Sequence, residues 1–160
     1  MLLTNKVVLI TGGAGPNGLG FASAKMLAAQ GARVVIVDLP QANAVAAARA
    51  LGEQHIGLSG DVTDPQSCQV AVQAALAHTG YIDILLNNAG ITQSRKTLDI
   101  TQSDYDAVLD VSLRGTLNMT QAVLPSMQVR QSGSIICMSS VSAQRGGGIL
   151  GGAHYSAAKA

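Results

Sequence analysis

Short runs of Val, Ile and Leu alternate along this chain with longer segments whose apolar residues recur at helical spacing. That alternation is the signature of repeated strand–helix units and a mostly parallel sheet. Five runs read as strands: Lys6 to Ile10, Arg33 to Val37, His55 to Ser59, Ile82 to Leu86 and Ser134 to Met138. Each is too short and too continuously apolar for an amphipathic helix. The first predicted helix spans Leu19 to Gln30 and stops at Gly31, a residue suited to the left-handed backbone after a helix end. The second covers Gln41 to Leu51 and stops at Gly52. In the third, Asp64 caps the first turn and Pro65 sits at the first helical position, with Cys68, Val72, Ala75 and Leu76 as the apolar face and Gly80 as the stop. The fourth opens on Thr101 with Asp104 three residues on, a capping-box pattern, and continues to Met127, with Pro125 expected to kink or end it.

Parallel strands joined by right-handed helical crossovers imply an α/β doubly wound sheet of strand order 3-2-1-4-5, whose ligands bind beyond the C-terminal ends of the strands. The order of elements predicts one domain over 1–160. Composition agrees with a buried parallel sheet: 48% of residues are hydrophobic, 12% charged and 2% aromatic, there is no Trp, and the mean hydropathy is +0.30. Such a core must be built from Val, Ile, Leu and Ala. The formal net charge of +1 supplies no field to attract nucleic acid or a membrane surface, so neither is expected as a partner. No stretch reaches the ~20 apolar residues of a membrane span, and Met1 to Ile10 lacks the marks of a signal peptide, so the expected location is cytoplasmic. Cys68 and Cys137 lack CxxC spacing and are expected as buried thiols rather than metal ligands, and no metal site is predicted.

The chemistry is concentrated where the strands end. Thr11-Gly12-Gly13-Ala14-Gly15-Pro16-Asn17-Gly18-Leu19-Gly20 lies between the first strand and the first helix. Glycines there let the backbone approach a pyrophosphate, and the N–H groups and dipole of the helix start attract its charge. A nucleotide-hydrolase phosphate loop would need Lys followed by Ser or Thr at the helix start, where this chain has Gly18-Leu19-Gly20. Asp38 closes the second strand about 20 residues beyond the turn, where a carboxylate accepts hydrogen bonds from the adenosine ribose hydroxyls. It would repel a 2′-phosphate, and no Arg or Lys stands nearby to bind one. The residues therefore point to NAD, with NADP the less favoured dinucleotide. Finally, the four-residue spacing of Tyr155 and Lys159 places both on one helix face, where an ammonium can stabilise a phenolate. His55, His78 and His154 show no ligand spacing and read as structural or solvated, with a place in the pocket beside Tyr155 as the alternative for His154.

These segments resemble the short-chain dehydrogenase/reductase family in order and over the whole chain. Asp61-Val62 is similar to its adenine-contacting pair, Asn87-Asn88-Ala89-Gly90 to its NNAG motif, and Tyr155-Ser156-Ala157-Ala158-Lys159 to its YxxxK motif. The resemblance implies a Rossmann-like fold and an NAD-dependent oxidoreductase that moves a hydride between the nicotinamide and a secondary alcohol or ketone. It implies Gly12, Asn17, Gly18, Leu19, Gly20, Asp38, Asp61, Val62, Asn88, Tyr155 and Lys159 as cofactor-binding residues. Tyr155 would be the general acid or base, and Lys159 would bind the nicotinamide ribose. For the hydroxyl that orients the reacting oxygen, counting from the strand selects Ser140 and counting back thirteen residues from Tyr155 selects Ser142. The rigid strand favours Ser140 and leaves Ser142, with His154, to touch substrate.

Two departures accompany the resemblance. The glycine turn is two residues longer than the usual TGxxxGxG, and Ser112 stands where the family carries an Asn that holds a relay water. Ser112 shares an inward face with Val108 and Leu109, so a working but altered relay is expected. Members of the family continue past the YxxxK helix, which makes this chain a fragment in expectation, truncated after the fifth strand, poorly active alone and a homodimer or homotetramer when complete. The competing readings are a non-catalytic dinucleotide-binding module and an NADP-dependent carbonyl reductase of the same family.

Overall fold

The computed structural model describes residues 1–147 and 151–160. Five parallel strands, β1 (Val7–Thr11), β2 (Arg33–Asp38), β3 (Ile56–Ser59), β4 (Ile84–Asn87) and β5 (Ser134–Cys137), form one sheet in the order β3-β2-β1-β4-β5. This is the doubly wound order expected from the sequence. In register, Thr11 lies beside Val37, Asp38 beside Ser59 and Asn87 beside Cys137. The C-terminal ends of all five strands thus form one edge.

Alternate residues of the strands build two apolar layers because successive side chains point to opposite faces. Val7, Leu9, Val35, Val37 and Leu85 face α3 (Pro65–Thr79) and α5 (Gly115–Arg130), meeting Val72, Ala75, Met119 and Val123. Val8, Ile10, Val34, Ile36 and Leu86 face α1 (Leu19–Ala29) and α2 (Ala44–Arg49), meeting Ala24, Ala44 and Ala48. Burying each large side chain stabilises the fold by about 1.5–3 kcal/mol before entropy is counted.

Helix ends follow local chemistry. Asp64 accepts a hydrogen bond from the Gln66 N–H at 2.9 Å, Pro65 opens α3, and Gly80 ends it at φ +80°. Thr101 and Asp104 form the expected reciprocal cap of α4 (Gln102–Leu109). The second helix is shorter than its apolar pattern, because Asn43 takes a left-handed backbone (φ 54°) after a 3-10 turn over Pro40–Ala42 and caps α2 with its side chain. The expected fourth helix is interrupted: a π-helical turn over Asp110–Arg114 separates α4 from α5, and α5 runs through Pro125 to Arg130. The chain closes with α6 (Val141–Arg145) and α7 (Ala153–Lys159).

Cys68 is buried as expected, and burial, followed by the carboxylates of Asp64 and Asp61, pushes its thiol up to about 11. Cys137 is exposed, contrary to expectation. It lies on β5, which among the described residues pairs with β4 alone, and an apolar run does not reveal how many neighbours its strand has. Among the described residues no helix is long and apolar enough to cross a membrane, and no group of three or more His, Cys, Asp or Glu could hold a metal ion.

Candidate functional site

The loop after β1 and the loop after β4 are tied together at the C-terminal edge. Thr11, itself buried, accepts hydrogen bonds at Oγ1 from the N–H groups of Asn88 (3.1 Å) and Ala89 (3.0 Å). In return the Asn88 side-chain amide donates to the carbonyls of Thr11 (3.0 Å) and Gly12 (2.9 Å). Two of the glycines are required by this contact. Gly12 has φ +65° and a Cβ there would sit 2.8 Å from Ala89 Cα, while a Cβ on Gly20 would sit 2.5 Å from both Gly12 O and Asn88 Nδ2. Asp38 completes the frame, accepting from the N–H groups of Ala14 and Leu39, both at 2.9 Å. Asp61 folds its own turn, accepting from the N–H and hydroxyl of Thr63.

These loops wall a cleft along the sheet edge. Its first part, a cavity of about 370 Å³, is lined by Gly12, Gly15, Asp38, Asp61, Val62 and Asn88, among others. The second, of about 280 Å³, continues past Gly18, Leu19, Gly20 and Thr92 to Met138, Ser139, Tyr155 and Lys159. Gly12, Asn88, Gly90 and Ile91 line both parts.

At the far end, the Lys159 ammonium donates to the Met138 carbonyl at 2.8 Å, and the Ser139 hydroxyl donates to the Lys159 carbonyl at 2.6 Å. Burial pulls the Lys159 ammonium below the usual lysine range. Ser112, in the π-helical turn, is buried, and its hydroxyl finds no partner among the described residues. A Cβ placed on Gly90 would lie 3.1 Å from Lys159 Nζ and 3.4 Å from Ser112 Oγ, so Gly90 keeps open the gap between those two polar groups.

The structure thus gathers Gly12, Gly18, Leu19, Gly20, Asp38, Asp61, Val62, Asn88, Tyr155 and Lys159 around one cleft, with Ser112 behind its wall. It does not bring every candidate there. Asn17 is exposed at the tip of the turn and is absent from the lining. Ser140 caps α6 and accepts from the Ser142 N–H at 3.2 Å, and at the end of β5 the cleft is lined by Met138 and Ser139 instead. His154 is buried on another face of α7, where its Nε2 lies 3.2 Å from Gln93 Oε1. Sequence reasoning passed over Ser139, Gly90, Ile91 and Thr92. Gly90 closes the NNAG motif already recognised, Ile91 and Thr92 extend it and Ser139 precedes Ser140, so the rule that ligands bind beyond strand ends was the signal that could have found them.

Residues 6–160 match the short chain dehydrogenase family profile. The chain belongs to that family. It is 50% identical to an uncharacterized short-chain type dehydrogenase/reductase of Sinorhizobium fredii, covering 100% of this chain and 65% of that protein. It is 42% identical to galactitol 2-dehydrogenase of Agrobacterium fabrum over 91% of this chain and 57% of the relative. The crystal structure of gox2181 superposes with a TM-score of 0.91 at 34% identity, over 98% of this chain and 62% of that one. The chain therefore spans about three fifths of the length of the proteins it matches.

Proposed function

We propose that this chain forms the dinucleotide-holding part of an NAD-dependent oxidoreductase acting on a secondary alcohol or ketone. The observation that carries the reading is the continuous cleft from Asp38 to Tyr155 and Lys159, crossed midway by the glycine turn. The residues fit a long dinucleotide. Gly20 and Gly12 let α1 and the turn close on each other, which brings the free N–H groups at the start of α1 to the cleft where a pyrophosphate would lie. Each carboxylate oxygen has two lone pairs, so Asp38 retains acceptors for ribose hydroxyls after receiving the Ala14 and Leu39 N–H bonds. Asp61 and Val62 would flank the adenine.

The nicotinamide supplies the hydride acceptor or donor. Tyr155 would give a proton to the substrate oxygen in reduction, or take one in oxidation. Lys159 would bind the nicotinamide ribose and favour the phenolate. A water in the gap kept by Gly90 would join Ser112 to Lys159, and Ser140 or Ser142, at the start of α6, would orient the substrate oxygen. Galactitol 2-dehydrogenase suggests polyols as the first substrates to try. The test is fluorescence titration with NADH and NADPH, followed by a panel of polyols and secondary alcohols with NAD. NADH should bind more tightly, and Tyr155→Phe should keep NADH binding while losing turnover. Tighter NADPH binding, or full turnover by Tyr155→Phe, would overturn the reading.

A further inference from the structure

Over Ala153–Lys159, α7 is held against the sheet edge by polar contacts at both ends of this span. Its C-terminal end is fixed by Lys159 on the Met138 carbonyl and Ser139 on the Lys159 carbonyl. Its N-terminal end is fixed by the loop that follows β4. The Gly152 N–H donates to the Gln93 carbonyl at 2.9 Å, and a Cβ on Gly152 would come 2.8 Å from the Arg95 carbonyl, so loop and helix start lie in direct contact. The side chains repeat the tie through His154 Nε2 and Gln93 Oε1. With Oε1 as acceptor the ring carries its proton on Nε2, and Nδ1 is buried without a partner among the described residues, so among these the Gln93 contact is the one polar anchor of this ring. The loop is anchored in turn by Arg95, whose guanidinium lies 3.5 Å from Asp104 of the α4 cap.

Residues one apart on a helix point about 100° apart. His154 and Ala158 are therefore turned into the protein while Tyr155 and Lys159 face the cleft. The same loop contributes Ile91 and Thr92 to the cleft wall. We infer that Gln93 and His154 form a positioning clamp, which fixes the rotation of α7 and so the place of the Tyr155 hydroxyl relative to the cleft. The clamp serves the activity proposed above and rests on that reading for its catalytic consequence, but its geometric consequence is independent of it.

The test labels the three tyrosines, Tyr81, Tyr105 and Tyr155, with 3-fluorotyrosine and follows their fluorine resonances. Tyr81 is the internal reference, since its hydroxyl donates to the Asn5 carbonyl at the opposite end of the sheet. In His154→Ala and in Gln93→Ala the Tyr155 resonance should shift or broaden while that of Tyr81 stays fixed. His154→Gln, whose amide N–H can still donate to Gln93 Oε1, should restore it. With any panel alcohol that is turned over, the alanine variants should lose kcat by about 10- to 100-fold, the scale of a misplacement near 1 Å, while KM for NAD changes much less because the cavity around Asp38 and Asp61 contains no residue of α7. An unchanged Tyr155 resonance in both alanine variants, or a Tyr81 resonance that moves with it, overturns the clamp. If the unaltered protein binds no NADH, the functional reading fails while the fluorine resonances still decide the clamp.

Discussion

Replacing Gly20 by alanine sets two opposed effects against each other, and the geometry decides between them. Gly20 is the second residue of α1, where alanine would gain up to about 1 kcal/mol of helix propensity. The added methyl, however, would lie 2.5 Å from Gly12 O and Asn88 Nδ2 and 3.0 Å from Gly13 Cα, and two of these three atoms are backbone. To reach ordinary contact the start of α1 must retreat by roughly 1 Å, and overpacking of that kind costs about 1–3 kcal/mol. The retreat also stretches the Asn88 bonds to the Thr11 and Gly12 carbonyls, each worth about 1 kcal/mol. The net expectation is a loss of about 1–3 kcal/mol, or a fall in Tm of roughly 3–10 °C for a chain of this size. Thermal unfolding followed by circular dichroism measures it, with Gly15→Ala as control, since a Cβ there meets nothing within 4 Å. NADH titration of the same variant should show weakened binding, because the retreat moves the N–H groups of α1 away from the cleft. A Gly20→Ala protein as stable as the unaltered chain would refute the reasoning, for it would mean that the turn yields freely and that Asn88 braces nothing.

Two further outcomes follow from buried polar groups. Asp83→Ala removes the acceptor of the buried Val7 N–H (2.9 Å) and the partner of Arg130 (3.1 Å), and should cost about 1–3 kcal/mol for the orphaned donor, with about 0–1 more from the partly exposed cations. Urea unfolding checks this, and Asp83→Asn, which keeps an acceptor, should lose less. His55 is held neutral: burial, then the Arg33 charge, lower its pKa, and its Nδ1 accepts the Val34 N–H at 3.0 Å. The unfolded ring takes up a proton near pH 6.5 and the folded ring resists it, so the contribution of His55 is complete above pH 6.5 and is lost as pH falls below it, by no more than about 1.4 kcal/mol per pH unit. His55→Asn, with an acceptor but no titration, should flatten the stability profile between pH 6.5 and 5; an unchanged slope would show that other groups set it.

The centre of the sheet was legible because β1, β2 and β4 are buried on both faces and so appear as Val, Ile and Leu runs, and the caps at Asp64 and Thr101 were legible because capping is local chemistry. What stayed hidden depends on surroundings. Nothing in Asp110 to Arg114 announces a π-helical turn, since the apolar spacing on either side of it is that of a helix. Asn43 divides the second helix through a backbone state that asparagine tolerates but does not require. His154 read as structural, with substrate contact as the alternative because it adjoins Tyr155; helical phase turns neighbours to different faces, and the burial of His154 follows from that phase. Gln93 carried no signal at all: a polar loop residue acquires its role only when folding brings α7 against it.

The π-helical turn bears on how this protein tolerates change in length. It accommodates one more residue per turn than an α-helix, so α4 and α5 are rotated relative to each other by one position's worth of phase. One half of the long helix can therefore dock on α7 while the other docks on α3, with Ser112 inward at the joint. Deleting a single residue between Asp110 and Arg114 would restore a regular helix and swing one of those halves about 100° around its axis. Substitutions at the exposed positions of this turn are minor edits, but a one-residue deletion there is an edit to the whole flank of the sheet.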